Sequence, residues 1–339
     1  MKKHSLYFFV ISFFLLVRCM ENKTHPAAYS MFPPHIPSKI DSITTPEEVE
    51  RIINTLYDTL YPSSFKCLIP SEIRQFDGNF NRKCLSLAKG LTINRSFQKA
   101  DFDRNGYTDL LSIGKKQEFL NISVVMNYGN DSLRLIELTP TPFSRCALPF
   151  IDTIENHPVI RYFQWKTYET KNGYEEKLTE DTLVFKFGGF IEYNPHPARY
   201  TITEIDLQTG ICNGYCPVFH LKINENREAV LEAEAFNINR KTGKEIKGIY
   251  KTNISEKDYE QLVNLLNYID FLNLRDHYYV TRTDAQSINL SITYRDQEGQ
   301  ERQKRIFDYG KAGTFGLIRL YEILFALRFT QNWTKTAEL

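Results

Sequence analysis

The sequence carries almost no net charge: 42 lysines and arginines stand against 41 aspartates and glutamates in 339 residues. No overall field therefore draws the chain to nucleic acid or to an anionic membrane. The residues from 198 onwards hold 19 of each sign, so charge does not divide between the halves either. Catalytic motifs are equally scarce. His157, His196, His220 and His277 are scattered without a ligand spacing such as HExxH, no Gly-x-Ser-x-Gly elbow occurs, and Glu175-Glu176 sits in a polar stretch. Metalloprotease and serine-hydrolase chemistry thus have no motif, and no catalytic residue is expected. The apolar run Leu6 to Val17 has only twelve residues, short of the roughly 20 that a membrane-spanning helix needs.

That short run is informative in itself. With Lys2, Lys3 and His4 before it, it reads as a secretory signal peptide. It ends at Leu16-Val17-Arg18-Cys19, which resembles a bacterial lipobox in which the signal is cut before a cysteine that becomes lipid-modified. Arg18 stands where that motif usually has a small residue, and Pro26-Ala27-Ala28 is a poor alternative cleavage site. The expectation is lipidation at Cys19 and a lipid-anchored location at the cell membrane or outer membrane. Cys67, Cys84, Cys146, Cys212 and Cys216 then remain in an oxidising compartment. Cys212 with Cys216 is the expected disulfide, and Cys67 with Cys84 the next, leaving Cys146 over.

Hydrophobic residues make up 42% of the chain, enough for two ordinary domains. Residues 1–18 read as the signal and 19–45, with Pro26, Pro33, Pro34 and Pro37, as a tether. Thr45-Pro46-Glu47-Glu48 predicts a helix start, and Val49, Ile52, Ile53, Leu56, Tyr57 and Leu60 follow at helical spacing, with a stop before Pro62. The stretch 46–197 then reads as a mostly β domain. Its strands include Asn121 to Tyr128 and Ser132 to Leu138 around a turn at Gly129-Asn130-Asp131, then Val159 to Tyr168, and Thr182 to Tyr193 with a bulge or bend at Gly188-Gly189. Asn194-Pro195-His196-Pro197 marks the boundary.

The stretch 198–333 predicts four strands, a helix from Ser255 to Tyr268, two strands and a helix from about Thr314 to Phe329, with 334–339 as a tail. The fold class expected is α+β: a mostly β N-terminal domain with one leading helix, then an antiparallel sheet with two helices.

Three motifs could carry chemistry. Asp101-Phe102-Asp103-Arg104-Asn105-Gly106-Tyr107-Thr108-Asp109 sets oxygen donors at alternate positions with glycine sixth, which suits a loop wrapped round a hard cation such as calcium. The expected ligands are the side chains of Asp101, Asp103, Asn105 and Asp109 and the carbonyl of Tyr107. Ser112 occupies the twelfth position, so the loop is not a complete EF-hand; it resembles a single calcium loop of the FG-GAP or VCBS type. Its role would be structural, and a metal-free Asp/Asn turn is the alternative.

Cys212 and Cys216, three residues apart among strands, suit a structural clip more than a redox centre at a helix N-terminus. Tyr309 to Gly316 could cradle an anion on backbone amides, though a plain strand-to-helix connection explains its glycines as well.

With Cys212-x-Gly214-x-Cys216-Pro217-Val218, the helix beginning at Ile254-Ser255, and Asp308-Tyr309-Gly310-Lys311-Ala312-Gly313 in order, the segment from about Tyr200 to Phe329 resembles the bacterial domain of unknown function family 6438. The resemblance implies an exported protein or lipoprotein and brings no activity with it. The function expected is therefore a non-enzymatic binding or scaffolding module of the cell envelope, with an envelope protein or a glycan as partner. The competing class is a thiol-disulfide oxidoreductase using Cys212 and Cys216.

Overall fold

The computed structural model describes residues 33–57, 64–72, 82–116, 119–138, 146–170, 173–239, 241–280 and 283–339. Four α-helices and 17 strands in three sheets make these residues mainly β with some helices. The signal segment, Cys19, Leu60 and Pro62 lie outside the described residues.

Helix α1 (Pro46–Leu56) starts as its sequence dictates: the Thr45 hydroxyl accepts from the Glu48 amide while the Glu48 carboxylate accepts from the Thr45 amide. The first sheet holds β1 (Phe65–Cys67), β2 (Phe97–Ala100), β3 (Asp109–Lys116), β4 (Phe119–Asn127) and β5 (Leu133–Glu137). Strands β1 and β2 lie end to end along one edge of β3, and β4 and β5 form the expected hairpin, closed by the Tyr128 amide on the Ser132 carbonyl at 2.9 Å. Strands β3 and β4 are buried almost throughout because both faces of this sheet are covered. Val49 and Ile53 of α1 pack on Leu110 and Val125 from one side, together with Ile40 and Ile43.

Those two isoleucines correct the tether expectation. Ile40 and Ile43 are 1% and 4% exposed, and the Ile36 amide donates to the Gly106 carbonyl at 2.8 Å, so the folded part begins well before residue 46. Ile40 and Ile43 join the core on the α1 side of the first sheet, a role that the surrounding prolines disguise.

The second sheet is an antiparallel meander of β6 (Ala147–Ile154), β7 (His157–Thr170), β8 (Gly173–Lys186) and β9 (Gly189–Glu192). The predicted single strand Thr182 to Tyr193 is in fact two. Phe187 and Gly188 both take positive φ, 54° and 73°, which makes a two-residue hairpin turn where a bulge or bend was expected. Leu148, Ile160, Tyr162, Leu183 and Phe190 of this sheet meet Leu111, Ile113, Ile122, Val124 and Met126 of the first. Helix α2 (Arg82–Gly90), a second helix that the one-leading-helix reading lacks, closes this core with Cys84 and Ala88.

Here the cysteine pairing is corrected. Cys84 bonds to Cys146, and Cys67 is a free thiol. Cys84 and Cys146 both belong to the core between the two sheets, whereas Cys67 packs on the α1 side of the first sheet. Nearness in sequence favoured Cys67; the sheet stands between it and Cys84. The bridge spans 62 residues and on the chain-entropy estimate stabilises by about 4 kcal/mol.

The third sheet runs β14-β16-β15-β10-β11-β12-β13-β17 and is antiparallel except for the β14–β16 pair. Its strands are β10 (Thr201–Thr209), β11 (Val218–Asn224), β12 (Glu228–Ala235), β13 (Gly248–Asn253), β14 (His277–Tyr279), β15 (Ser287–Arg295), β16 (Glu301–Tyr309) and β17 (Thr334–Ala337). Strand β17 pairs with β13, so most of the expected tail belongs to the sheet. Helices α3 (Glu256–Tyr268) and α4 (Phe315–Thr330) cover one face: Leu262, Leu265 and Leu266, with Leu317, Leu320, Tyr321, Leu324 and Leu327, pack on Ile205, Leu207, Leu221, Leu231, Leu290 and Ile292. Alternation in β10 slips between Ile202 and Glu204, where a bulge buries both Ile202 and Thr203.

The second and third sheets meet at the N-terminus of α4. Glu192, the last residue of β9, accepts from the Phe315 and Gly316 amides at 2.7 and 2.9 Å. Such amides have no partner inside the helix, and the helix dipole favours a negative charge there. Around this contact the Arg319 guanidinium donates to the Phe187 carbonyl at 2.9 Å, and Asn194 holds Tyr268 at the end of α3. Glu192→Ala leaves two helix-end amides unsatisfied and should lower the unfolding free energy by about 2 kcal/mol, with Glu192→Gln costing roughly half as much because one acceptor remains. Denaturant titration checks both; equal stability of all three proteins would refute the role.

Candidate metal centre

The loop from Asp101 to Asp109 connects β2 to β3, and its sequence shapes it locally. The Asp101 carboxylate accepts from the Asn105 amide at 3.1 Å and the Gly106 amide at 2.8 Å, and Asn105 Oδ1 accepts from the Tyr107 amide at 2.7 Å. These are the Asx turns that short polar side chains favour. Gly106 has φ +91°, and a Cβ there would lie 2.8 Å from the Pro34 carbonyl, so the position needs glycine on both counts.

Asp109 is fully buried at the start of β3. One carboxylate oxygen accepts from the Phe102 amide and the other from the Asn127 amide, each at 2.8 Å, fixing the loop to β4. Burial pushes its pKa up to about 8 despite these two donors. Asp103 is pushed up to about 6, first by burial and then by the neighbouring Asp101 charge.

Of the five expected ligands, the three carboxylates come together. Single oxygens of Asp101, Asp103 and Asp109 lie within 4.8 Å of one another, the one group of three or more such side chains among the described residues. Two oxygens each about 2.4 Å from one calcium ion lie at most about 4.8 Å apart, so the separation suits a shared hard cation. Asn105 Nδ2 donates to the Asn127 carbonyl at 2.8 Å and to Asp103 at 3.1 Å. Tyr107 packs its ring against Gly129 of the β4–β5 turn. Arg104, the cation nearest in sequence, reaches the His157 ring at 2.5 Å.

Sequence reasoning had no means of finding what covers this loop. The segment before α1 lies across it, with Thr108 donating to Asp41 and Lys99 donating to the Asp41 and Ile43 carbonyls at 2.8 and 2.6 Å.

The other motifs resolve into structural parts. Cys212 and Cys216 are bonded in the connection between β10 and β11, which begins no helix, with Gly214 at φ +141° between them. His220 on β11 sits 3.0 Å from Asp206, His277 lies beside Phe307, His157 beside Arg104, and the His196 amide donates to Asn194, so the four histidines have four different sets of neighbours.

The loop from Tyr309 to Gly316 does hold anions, and they are the protein's own. The Ala312 and Gly313 amides donate to Asp308 at 2.7 and 3.1 Å, and the next two free amides hold Glu192. Burial pushes the Asp308 pKa up to about 6 from its ordinary 3.8, against the pull of those amides and the Lys311 charge. The folded chain therefore keeps a proton on Asp308, between about pH 4 and 6, that the unfolded chain releases. Stability from this group falls as pH rises through that window, by up to about 3 kcal/mol. Asp308→Asn should make the wild type's dependence shallower there, the remainder coming from Asp103 and Asp109; parallel curves from denaturant titrations at pH 4 to 7 would count against it.

Residues 203–328 match the family model described as Domain of unknown function (DUF6438). No curated protein and no solved structure matches the chain.

Proposed function

We propose that the chain is a lipoprotein of the bacterial cell envelope, anchored through Cys19, that acts as a non-enzymatic binding or scaffolding module for an envelope protein or a glycan. The observation that carries this reading is the N-terminal order of Lys2-Lys3, the twelve-residue apolar run and Cys19. The two disulfides among the described residues support it, since such bonds persist in oxidising compartments. In this reading 46–197 is a mostly β unit, extended at its start by the segment from Pro34 to Ile43, and the α+β unit follows from 198. Asp101, Asp103 and Asp109 would hold a calcium ion, which would neutralise three crowded carboxylates and tie β2, β3 and the preceding segment together.

A thiol-disulfide oxidoreductase is the weaker reading. Strands flank the Cys212–Cys216 bridge, and nothing in its connection supplies the helix N-terminus that lowers a thiol pKa.

In cells fed labelled fatty acid, the wild type should incorporate label and Cys19→Ser should not; equal labelling would refute the anchor. With calcium at about 100 times its Kd, a chelator should lower the melting temperature by roughly 5 to 10 °C. Asp103→Asn should lose that response, and a chelator without effect on the wild type would refute the ion.

A further inference from the structure

Tyr215 and Ile211, at 84% and 76% exposure, are the two most exposed large hydrophobic side chains among the described residues. Both flank or lie within the small loop closed by Cys212 and Cys216. Phe236 and Ile238, exposed by 37% and 41%, belong to the connection between β12 and β13, and the Phe236 ring packs edge-on against Tyr215 with centroids 5.4 Å apart. The four side chains therefore come from two connections at one end of the third sheet.

That end is held rigidly. Asn237, between the two exposed residues, is fully buried: its Nδ2 donates to the Val218 carbonyl at 2.8 Å, and its Oδ1 accepts from Arg328 at 2.6 Å. With Asn237 turned inwards, Phe236 and Ile238 face out. The disulfide loop is fixed in turn by the Asn213 amide on the Asp284 carbonyl at 3.1 Å and by Gln286 donating to the Pro217 carbonyl at 2.7 Å. A fixed apolar projection loses little conformational freedom when it is covered.

The charges around it are one-sided. The described residues of the connections at this end, 210–217, 236–239, 241–247, 283–286 and 310–314, contain Lys241, Lys244, Lys247 and Lys311 against Glu245 and Asp284. Lys241, Lys244 and Lys247 are exposed, and Glu245 accepts from the Phe236 amide at 2.8 Å. At the opposite end of the sheet Arg295 pairs with Glu225 at 2.8 Å and Arg302 with Asp296 at 2.9 Å. A chain with a net charge of +1 thus concentrates positive charge at the end that also projects apolar side chains.

We infer that this end of the third sheet docks on an anionic phospholipid bilayer, inserting Ile211, Tyr215, Phe236 and Ile238 at headgroup depth within a rim of lysines. Aromatic and aliphatic side chains beside basic ones are the composition of interfacial membrane contacts. Lysines near an anionic leaflet are drawn to it, whereas lysine is depleted from protein–protein interfaces. The docking goes beyond lipid anchoring and does not require it.

The test is hydrogen exchange of the full chain, reconstituted through its own N-terminal segment into vesicles of phosphatidylcholine alone or of phosphatidylcholine with phosphatidylglycerol. Both vesicles hold the chain in the same way, so the outcome is separate from that of fatty-acid labelling. Residues 211–216 and 236–247 should exchange about tenfold more slowly on the anionic vesicles, and high salt should reverse most of the difference. The double substitution Ile211→Ser with Tyr215→Ser should abolish the protection, and Lys241→Glu with Lys244→Glu should weaken it, at unchanged melting temperature. Equal exchange on the two vesicle types would overturn the inference, as would protection that arises only when a soluble envelope protein is added.

Discussion

The fold turns on the carboxylate of Glu192 at the N-terminus of α4. A helix presents amides that its own hydrogen bonds cannot satisfy, and burying that end against a sheet requires an acceptor from elsewhere. Glu192 is the last residue of β9, so the acceptor comes from the second sheet while the helix covers the third. Once this contact exists, Phe315 is carried onto Tyr162, its ring edge-on at 5.1 Å, and Arg319 reaches the Phe187 turn. Burial raises the Glu192 pKa against the pull of these two amides, and a buried carboxyl group without such donors is costly, so the contact holds the second sheet against the helix that covers the third. Asp308 repeats the device six residues upstream of the helix cap Thr314, on the amides of Ala312 and Gly313. The glycine-rich connection between β16 and α4 is therefore an anion cradle whose anions are built into the chain.

How much of this was legible depends on how local the cause is. The helix at Pro46 follows from a capping box written in four consecutive residues, and α4 from Leu317, Leu320, Tyr321, Leu324 and Leu327, all buried. The third sheet was readable because one face packs on helices and the other does not, so its strands alternate. The first sheet is covered on both faces, and its β3 and β4 lose the alternation that would have marked a face. Helix α2 and the Cys84–Cys146 pairing were missed for a related reason. Both depend on which side of the first sheet a residue falls, and spacing along the chain carries no record of that.

The candidate metal centre divides in the same way. The three aspartates and Gly106 are local and were legible, because a turn that needs positive φ and clustered oxygens is encoded within nine residues. Asn105 was read as a ligand by its position, and what sets its side chain is Asn127, more than twenty residues away, whose carbonyl accepts from its Nδ2. Asn127 also donates to Asp109, so one residue of β4 sets both how deep the loop sits and what its side chains can offer. The burial that this produces is what raises the Asp109 pKa and gives a cation something to relieve.

The coverage of that loop bears on how the chain is held. The segment from Pro34 to Ile43 reaches the loop through the Ile36 amide and Asp41, and then buries Ile40 and Ile43 under α1. Any pull on the N-terminus is delivered first to this segment, and from there to the Asp101–Asp109 loop. An ion bridging the three carboxylates would stiffen the place where that load enters the first sheet. A structural cation is then better placed here than in the third sheet, whose connections are already fixed by a disulfide and by the buried Asn237. If the chain is anchored and docks as proposed, stiffness at its two ends would follow from different chemistry, an ion among carboxylates at the first sheet and covalent and buried polar contacts at the third.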